Sequence, residues 1–377
     1  MRTEFICASC QSTAPLLSAT AWRCPCGEPW ELAPGPPFDP AAIAPKATGV
    51  WRYRALLDLP PDIPDLTLGE GHSPWIRLPD GPWVACAHLE PTASFKARGV
   101  APMVAWAKRA ATAPLIEDSS GNAGAAVAAY AAAAGLPCRI YVPASAPAGK
   151  LRQLAAFGAE VMPVPGARPR ATEAAQHDTK GTYCSHAWNP LFVEGVKTMA
   201  FEWWERLDGR FPERVYVPAG QGSLVLGLSR GFRQLSEGLP GLRTPAIVAV
   251  QHRSVAPLAV AWQESATGSN SKREEPIEQA GRLLSDEPPL SNEPPLSDGI
   301  VIPDPVRGTE VLQAVRESGG EVLTVDDDAI RAALQQLSAA GIWVEPTGAV
   351  ALAGHQTGGG GKDDAVVTTG HGLKTAQ

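Results

Sequence analysis

Short strand-like segments alternate with alanine-rich helical segments, and this alternation limits the possible folds more than any other feature of the chain. One series reads, in order, PLIEDSS (114–120), NAGAAVAAYAAAAG (122–135), PCRIYVP (137–143), PAGKLRQLAAFG (147–158) and AEVMPVPG (159–166). A later series reads RVYVPAG (214–220), SLVLGLSRGFRQL (223–235), PAIVAVQ (245–251), EVLTVDD (321–327), DAIRAALQQLSAAG (328–341) and DAVVTTG (364–370). Strands that alternate with helices in this way predict an α/β fold with mostly parallel sheets.

Four of the seven cysteines fall within the first 26 residues, at Cys7, Cys10, Cys24 and Cys26. Two close thiol pairs can supply the four ligands of a tetrahedral zinc ion. Four unrelated thiols are the alternative, but their clustering favours zinc. Because four protein sulfurs leave no open coordination position, this zinc would be structural. We therefore predict a zinc-ribbon-like segment over residues 1–33.

Two proline-rich segments interrupt the alternation. Residues 33–46, APGPPFDPAAIAPK, form a linker that ends the cysteine-rich segment. Residues 266–298 are rich in Pro, Ser and Glu and contain EPPLS twice. A segment of this composition cannot bury a core, so it predicts a flexible surface insertion.

The composition restricts the functions that this fold can serve. Of the 377 residues, 44% are hydrophobic and 19% are charged, a composition typical of globular proteins. The chain is long enough for two or three domains. The formal net charge of −7 predicts no surface for nucleic acid or an anionic membrane. No apolar run reaches the length of a membrane span, and MRTEFICASC lacks the apolar stretch of a secretory signal. We expect a cytoplasmic protein that acts on a small molecule.

A single lysine, Lys96, follows a phenylalanine in the segment HLEPTASFKARG (88–99). A lysine in apolar surroundings either extends its amine to water or has a lowered pKa and a chemical role. This segment alone favours the first interpretation, so the other motifs must decide.

Small and polar residues follow three of the predicted strands. The turn SSGNAG (119–124) leads into a helix and carries Asn122, whereas VPAGQGS (217–223) places Gly220, Gln221, Gly222 and Ser223 before the next helix. Backbone amides at such a turn can bind a phosphate, although the turn lacks the lysine of a Walker loop. The third segment, TTGHGLKT (368–375), follows the last strand. A lysine, an asparagine turn, a phosphate turn and a hydroxyl together favour pyridoxal phosphate as the cofactor.

Ten elements in this order resemble the fold-type II pyridoxal-phosphate enzymes, and specifically the threonine synthase family, along nearly the whole chain. They are the cysteine pattern, GVWRYRALL, GEGHSP, PTASFKARG, SSGNAG, NPLFVEGVKTMAFE, AGQGS, PDPVRG, EPTGAVALAG and TTGHGLK. The resemblance implies a tryptophan synthase β-like fold with two three-layer α/β/α domains. It implies a large cofactor-binding domain (34–99 and 200–377), a small substrate-side domain (100–199) and, by analogy, a homodimer.

The resemblance also implies a role for each site residue. Lys96 would form the Schiff base with the cofactor and then move protons at the substrate carbons. Asn122 would bond the phenolic oxygen of the cofactor, and Thr369 would face its pyridine nitrogen. The cofactor phosphate would bind at Gly220, Gln221, Gly222 and Ser223. The substrate carboxylate would bind at Ser119, Ser120 and Gly121.

The substrate is less well defined because the chain departs from the family pattern. Ala97 replaces an aspartate and Ala123 a threonine, and His186, Ala187 and Phe192 replace the Asn, Ser and Arg that hold the substrate phosphate. His186, Lys197 or Arg98 would have to supply the missing donors. Conversion of O-phosphohomoserine and water to threonine and phosphate is our first expectation. The alternatives are β-replacement or deamination of another amino acid, and a catalytically weak regulatory protein.

Overall fold

Three separate sheets organise the chain, whose computed structural model describes residues 2–18, 22–110, 113–266 and 295–374. Most of the predicted insertion, residues 267–294, lies outside this range. The strands, in chain order, are β1 (Glu4–Cys7), β2 (Thr13–Pro15), β3 (Trp30–Leu32), β4 (Trp75–Arg77), β5 (Trp83–Ala85), β6 (Leu115–Glu117), β7 (Cys138–Pro143), β8 (Glu160–Val164), β9 (Thr182–Tyr183), β10 (Arg214–Pro218), β11 (Ala246–His252), β12 (Glu321–Val325) and β13 (Ala365–Val367).

Helices connect most of these strands, as the alternation predicts. In chain order they are α1 (Arg54–Leu57), α2 (Lys96–Ala110), α3 (Asn122–Ala134), α4 (Ala148–Ala156), α5 (Arg168–Gln176), α6 (Pro190–Arg206), α7 (Ser223–Gly238), α8 (Pro257–Ala266), α9 (Gly308–Glu317), α10 (Asp327–Ala339) and α11 (Pro346–Thr357). Gly135 ends α3 with a φ of +70°, a backbone conformation that favours glycine. Within the described ranges, no helix is long and apolar enough to span a bilayer.

The two larger sheets are parallel-rich, which confirms the prediction of an α/β fold. The six-stranded sheet has the order β12-β11-β10-β13-β5-β4, and only the β4–β5 pair is antiparallel. The four-stranded sheet, β8-β7-β6-β9, is parallel throughout. Strands β6 and β10 are almost fully buried, as expected for strands that helices cover on both faces. Because β6 and β10 run parallel to their neighbours, the loops that follow these strands lie together at one edge of each sheet.

Helix α6 packs against both α2 and α7 and forms the centre of the largest hydrophobic cluster. The interface buries large side chains that include Trp106 and Phe201. Because α2 begins at Lys96, this packing fixes the position of that lysine. The antiparallel sheet β2-β1-β3 packs on the same cluster through Phe5, whose ring lies edge-on to Trp106.

Candidate active site

A cavity of about 700 Å³ lies where several parallel strands end. Its walls come from the residues after β6, β9, β10 and β13, the place at which α/β folds bind ligands. The cavity brings together every residue that the sequence assigned to the cofactor or the substrate. These are Lys96, Ser119, Ser120, Gly121, Asn122, His186, Gly220, Gln221, Gly222, Ser223 and Thr369.

Lys96 is held at the cavity wall by the strand end that carries Thr369. The backbone N–H of Phe95 donates to the Thr369 carbonyl at 3.1 Å. The Lys96 amine lies 4.7 Å from the ring centroid of Phe95 and 5.2 Å from that of Phe192. Burial among these groups lowers the pKa of Lys96 to about 7, which the nearby Glu117 carboxylate partly opposes. A large share of the amine is therefore neutral and nucleophilic at neutral pH.

The turn Gly220–Ser223 offers backbone N–H groups to an anion. Gly222 has a φ of +77°, and a Cβ there would lie 2.1 Å from Val311, so only glycine fits. Helix α7 begins at Ser223 without a side-chain cap. Across the described ranges, the four amides donate to no other protein group. Free amides at a helix N-terminus favour a phosphate.

Asn122 and Thr369 line the same cavity as Lys96 and the turn Gly220–Ser223. The Asn122 amide donates to Glu345 at 2.7 Å and accepts from the Lys374 amine at 2.7 Å. The Thr369 hydroxyl is buried and has no hydrogen-bond partner among the described residues. Glu345 and Lys374 were not predicted as site residues, although both lie in motifs that the sequence analysis quoted.

His186 forms a buried pair with a second residue that the sequence did not assign. Its Nδ1 lies 3.0 Å from Oε1 of Glu117, the last residue of β6. Burial raises the pKa of Glu117 well above its usual range and lowers the pKa of His186 well below its own. Burial therefore favours the uncharged form of each group. Next to the pair, the Ser119 hydroxyl accepts from the Gly121 amide at 3.2 Å.

Lys197 and Arg98, the other donors considered for the substrate, do not reach the cavity. Arg98 is 1% exposed and pairs with Glu90 at 2.6 Å and Glu202 at 2.9 Å. The Lys197 amine pairs with Glu194 at 2.6 Å. Both cations instead neutralise carboxylates buried in the helix interface, because an unpaired buried charge is costly. This part of the sequence interpretation is wrong.

The four N-terminal cysteines converge at the end of the small antiparallel sheet. Their sulfur atoms all lie within 4.8 Å of one another, with Cys7 and Cys26 at 3.5 Å and Cys10 and Cys24 at 3.4 Å. A tetrahedral zinc–thiolate centre separates its sulfurs by about 3.8 Å, given zinc–sulfur bonds of about 2.3 Å. The arrangement therefore fits a zinc ion after small movements.

Comparison with known proteins agrees with this geometry. The family model described as "Pyridoxal-phosphate dependent enzyme" matches residues 66–371. The chain therefore belongs to the pyridoxal-phosphate dependent enzymes.

The similarity narrows further to one group within that family. The threonine synthase of Methanosarcina acetivorans is 30% identical over 360 residues, which cover 90% of this chain and 84% of that protein. The threonine synthase of Halalkalibacterium halodurans is 31% identical, and the match covers 86% and 90% of the two chains. The chain is threonine synthase-like, which confirms the resemblance inferred from the motifs.

Solved structures share the fold with lower identity. A threonine deaminase from Solanum lycopersicum has a TM-score of 0.64 at 20% identity, covering 89% of this chain and 93% of its own. A maize serine racemase has a TM-score of 0.60 at 20% identity, covering 80% and 88%. These likenesses support the α/β architecture alone.

The cavity fits pyridoxal phosphate on three independent observations. A largely neutral amine, Lys96, is available for an imine bond. The Gly220–Ser223 amides lack protein acceptors in the part of the chain that the structure describes, as a phosphate site requires. The Thr369 hydroxyl is buried without a partner there, so a ring nitrogen would satisfy it.

Proposed function

We propose that the protein is a pyridoxal-phosphate-dependent lyase that converts O-phosphohomoserine and water to threonine and phosphate. The observation that supports this most directly is the placement of Lys96 and the free-amide turn Gly220–Ser223 in one cavity. The similarity to threonine synthases supplies the choice of reaction. Water supplies a hydroxyl to the β-carbon and a proton to the γ-carbon. One β C–H bond and the γ C–O bond to phosphate break, and the proton lost from the β-carbon leaves with the phosphate.

In this proposal each cavity residue binds one part of the reacting molecules. When bound, pyridoxal phosphate withdraws electrons from the substrate carbon next to the amino group. The Gly220–Ser223 amides bind the cofactor phosphate, and the Asn122 amide bonds its phenolic oxygen. Thr369 offers a hydroxyl to the ring nitrogen. A hydroxyl carries no negative charge, so it would not stabilise the protonated form of this nitrogen as a carboxylate would. The turn Ser119–Gly121 holds the substrate carboxylate.

Lys96 would have a second task with cofactor and substrate bound. Its amine would lie beside the substrate carbons and would move protons between them. An amine with a pKa of about 7 is suited to this, because it both accepts and donates protons at neutral pH. The aromatic rings of Phe95 and Phe192 lie beside the amine and contribute to the burial that lowers its pKa.

We also propose that Cys7, Cys10, Cys24 and Cys26 bind a structural zinc ion. The convergence of four sulfurs within 4.8 Å supports this. Since all four ligand positions would be protein thiolates, the zinc takes no part in the reaction.

The reaction is tested by phosphate release from O-phosphohomoserine by the cofactor-loaded protein. Stoichiometric threonine and phosphate are expected, and Lys96→Ala should abolish both. The similarity to threonine deaminases is tested with the same preparation by measuring ammonia released from threonine. Ammonia without phosphate release would refute our proposal and favour deamination.

A further inference from the structure

Four cationic side chains line the cavity, and within the described ranges Lys374 alone among them makes a hydrogen bond or ion pair through its charged group. Lys96 and Lys374 belong to the cofactor side, where Lys374 bonds Asn122. Arg152 on α4 and Arg168 on α5 come from the other wall. Within the described ranges, neither guanidinium makes a hydrogen bond or an ion pair with another side chain. Two arginines that face a cavity without partners are available to a ligand.

The charge of Arg168 acts at the place where the substrate would lie. It lowers the pKa of Lys96 and of His186, and it partly opposes the raised pKa of Glu117. The neighbouring carboxylate, Asp118, accepts hydrogen bonds from the Thr172 and Tyr183 hydroxyls at 2.5 and 2.9 Å. Asp118 also lines the cavity, but within the described ranges its side chain bonds these hydroxyls and forms no ion pair with Arg168.

The Glu117–His186 pair adds a neutral donor to the same wall. Glu117 is fully buried, and its Oε2 has no partner in the part of the chain described here. Burial favours the uncharged form of both groups, which is a carboxylic acid that donates to a neutral ring. In that arrangement Glu117 donates to Nδ1, so the ring hydrogen of His186 lies on Nε2. His186 lines the cavity, so this N–H is its remaining donor.

We propose that Arg168 and His186, with the ring of His186 held by Glu117, form the receptor for an anionic group at the far end of the substrate side chain. The inference rests on the proposed function, in which this group is the phosphate of O-phosphohomoserine. A planar guanidinium and an N–H donor suit a phosphate dianion. The cofactor phosphate is served separately, by the amides of Gly220–Ser223. Glu117 is a positioning residue, and Arg168 and His186 contact the substrate.

The receptor is tested by measuring which ligand the cofactor-loaded protein prefers. O-phospho-L-homoserine and L-homoserine are titrated separately, and binding is followed by the change in cofactor absorbance. We expect the unaltered protein to prefer the phosphorylated ligand by at least about 100-fold, as charge-assisted bonds to a dianion imply. Arg168→Gln should reduce this preference by about 10- to 100-fold, and Arg168→Lys should restore part of it.

Arg170→Gln is the matched control, because Arg170 lies on the same helix, is highly exposed and pairs with Glu173. It should leave the preference unchanged. His186→Phe, which removes the donor and keeps a ring, should lower the preference by about 10-fold. Intact cofactor absorbance shows that each variant is folded.

The outcomes separate this inference from the proposed function. Phosphate release by the unaltered protein together with a full ligand preference in Arg168→Gln refutes the receptor and leaves the function standing. A preference that disappears in Arg168→Gln, in a protein that releases no phosphate, supports the receptor and refutes the function. Equal binding of both ligands by the unaltered protein refutes the receptor outright.

Discussion

The lowered pKa of Lys96 predicts how fast pyridoxal phosphate attaches to the cofactor-free protein at each pH. With a pKa of about 7, about 90% of the amine is neutral at pH 8. With the ordinary value of 10.5, about 0.3% would be neutral at that pH. The attachment rate at pH 8 should therefore exceed that of an ordinary lysine by about 300-fold, if only the neutral amine reacts.

The rate should rise about tenfold per pH unit below pH 7 and become constant above about pH 8, because the amine is then already neutral. It can be measured by stopped-flow absorbance after mixing protein and cofactor between about pH 5.5 and about pH 9.5, with N-acetyl-lysine as the reference for titration of the cofactor itself. Arg168→Gln should move the midpoint upwards, since Arg168 lowers the pKa of Lys96. A normalised rate that still rises tenfold per unit above pH 9 would refute the lowered pKa.

Three further substitutions test the packing and the polar groups around the site. Arg307→Lys should lower the free energy of unfolding, measured by urea denaturation, by about 2–4 kcal/mol, because lysine leaves buried carbonyls unpaired. The control Arg316→Lys, on the exposed face of α9, should change that free energy by less than about 0.5 kcal/mol. Cys24→Ser should abolish stoichiometric zinc in metal analysis and lower the melting temperature. Thr369→Val should stabilise the cofactor-free protein by about 1 kcal/mol and weaken cofactor binding, since it removes a buried hydroxyl that lacks a partner among the described residues.

The longer elements of the fold follow from sequence periodicity. The alternating residues of β7 and the alanine-rich run of α3 both appear where the pattern places them. Strands β4 and β5 were not predicted, because each has only three residues and shows no period. Strand β9 has two residues and exists through its pairing with β6. Short strands such as these depend on neighbours that are distant in sequence.

The cavity could be predicted only as far as local motifs describe it. Glu345 bonds Asn122 across 223 residues of sequence, so no local pattern links them. Arg168 stands in the segment GARPR and looks like an ordinary surface residue. Glu117 did offer a signal, because a charged residue at the end of an otherwise apolar buried strand requires a partner. Arg98 and Lys197 were wrongly considered as substrate donors. Glu202, a partner of Arg98, lies on another helix, whereas Glu194 lies three residues before Lys197 on α6 and did offer a local signal.

Arg307 shows why the cysteine-rich segment and the cavity belong to one structural unit. Its guanidinium is buried and donates to the carbonyl of Trp30 in β3 at 2.7 Å, and to those of Ala187 and Trp188 at 3.3 and 3.1 Å. The preceding residue, Val306, donates its amide to the Gln221 side chain in the phosphate turn at 3.1 Å. The loop that carries His186 is thus fixed between the N-terminal sheet and the turn Gly220–Ser223. Since one rigid guanidinium bonds carbonyls of both segments, we expect a change in the cysteine-rich segment to alter the position of the loop that carries His186.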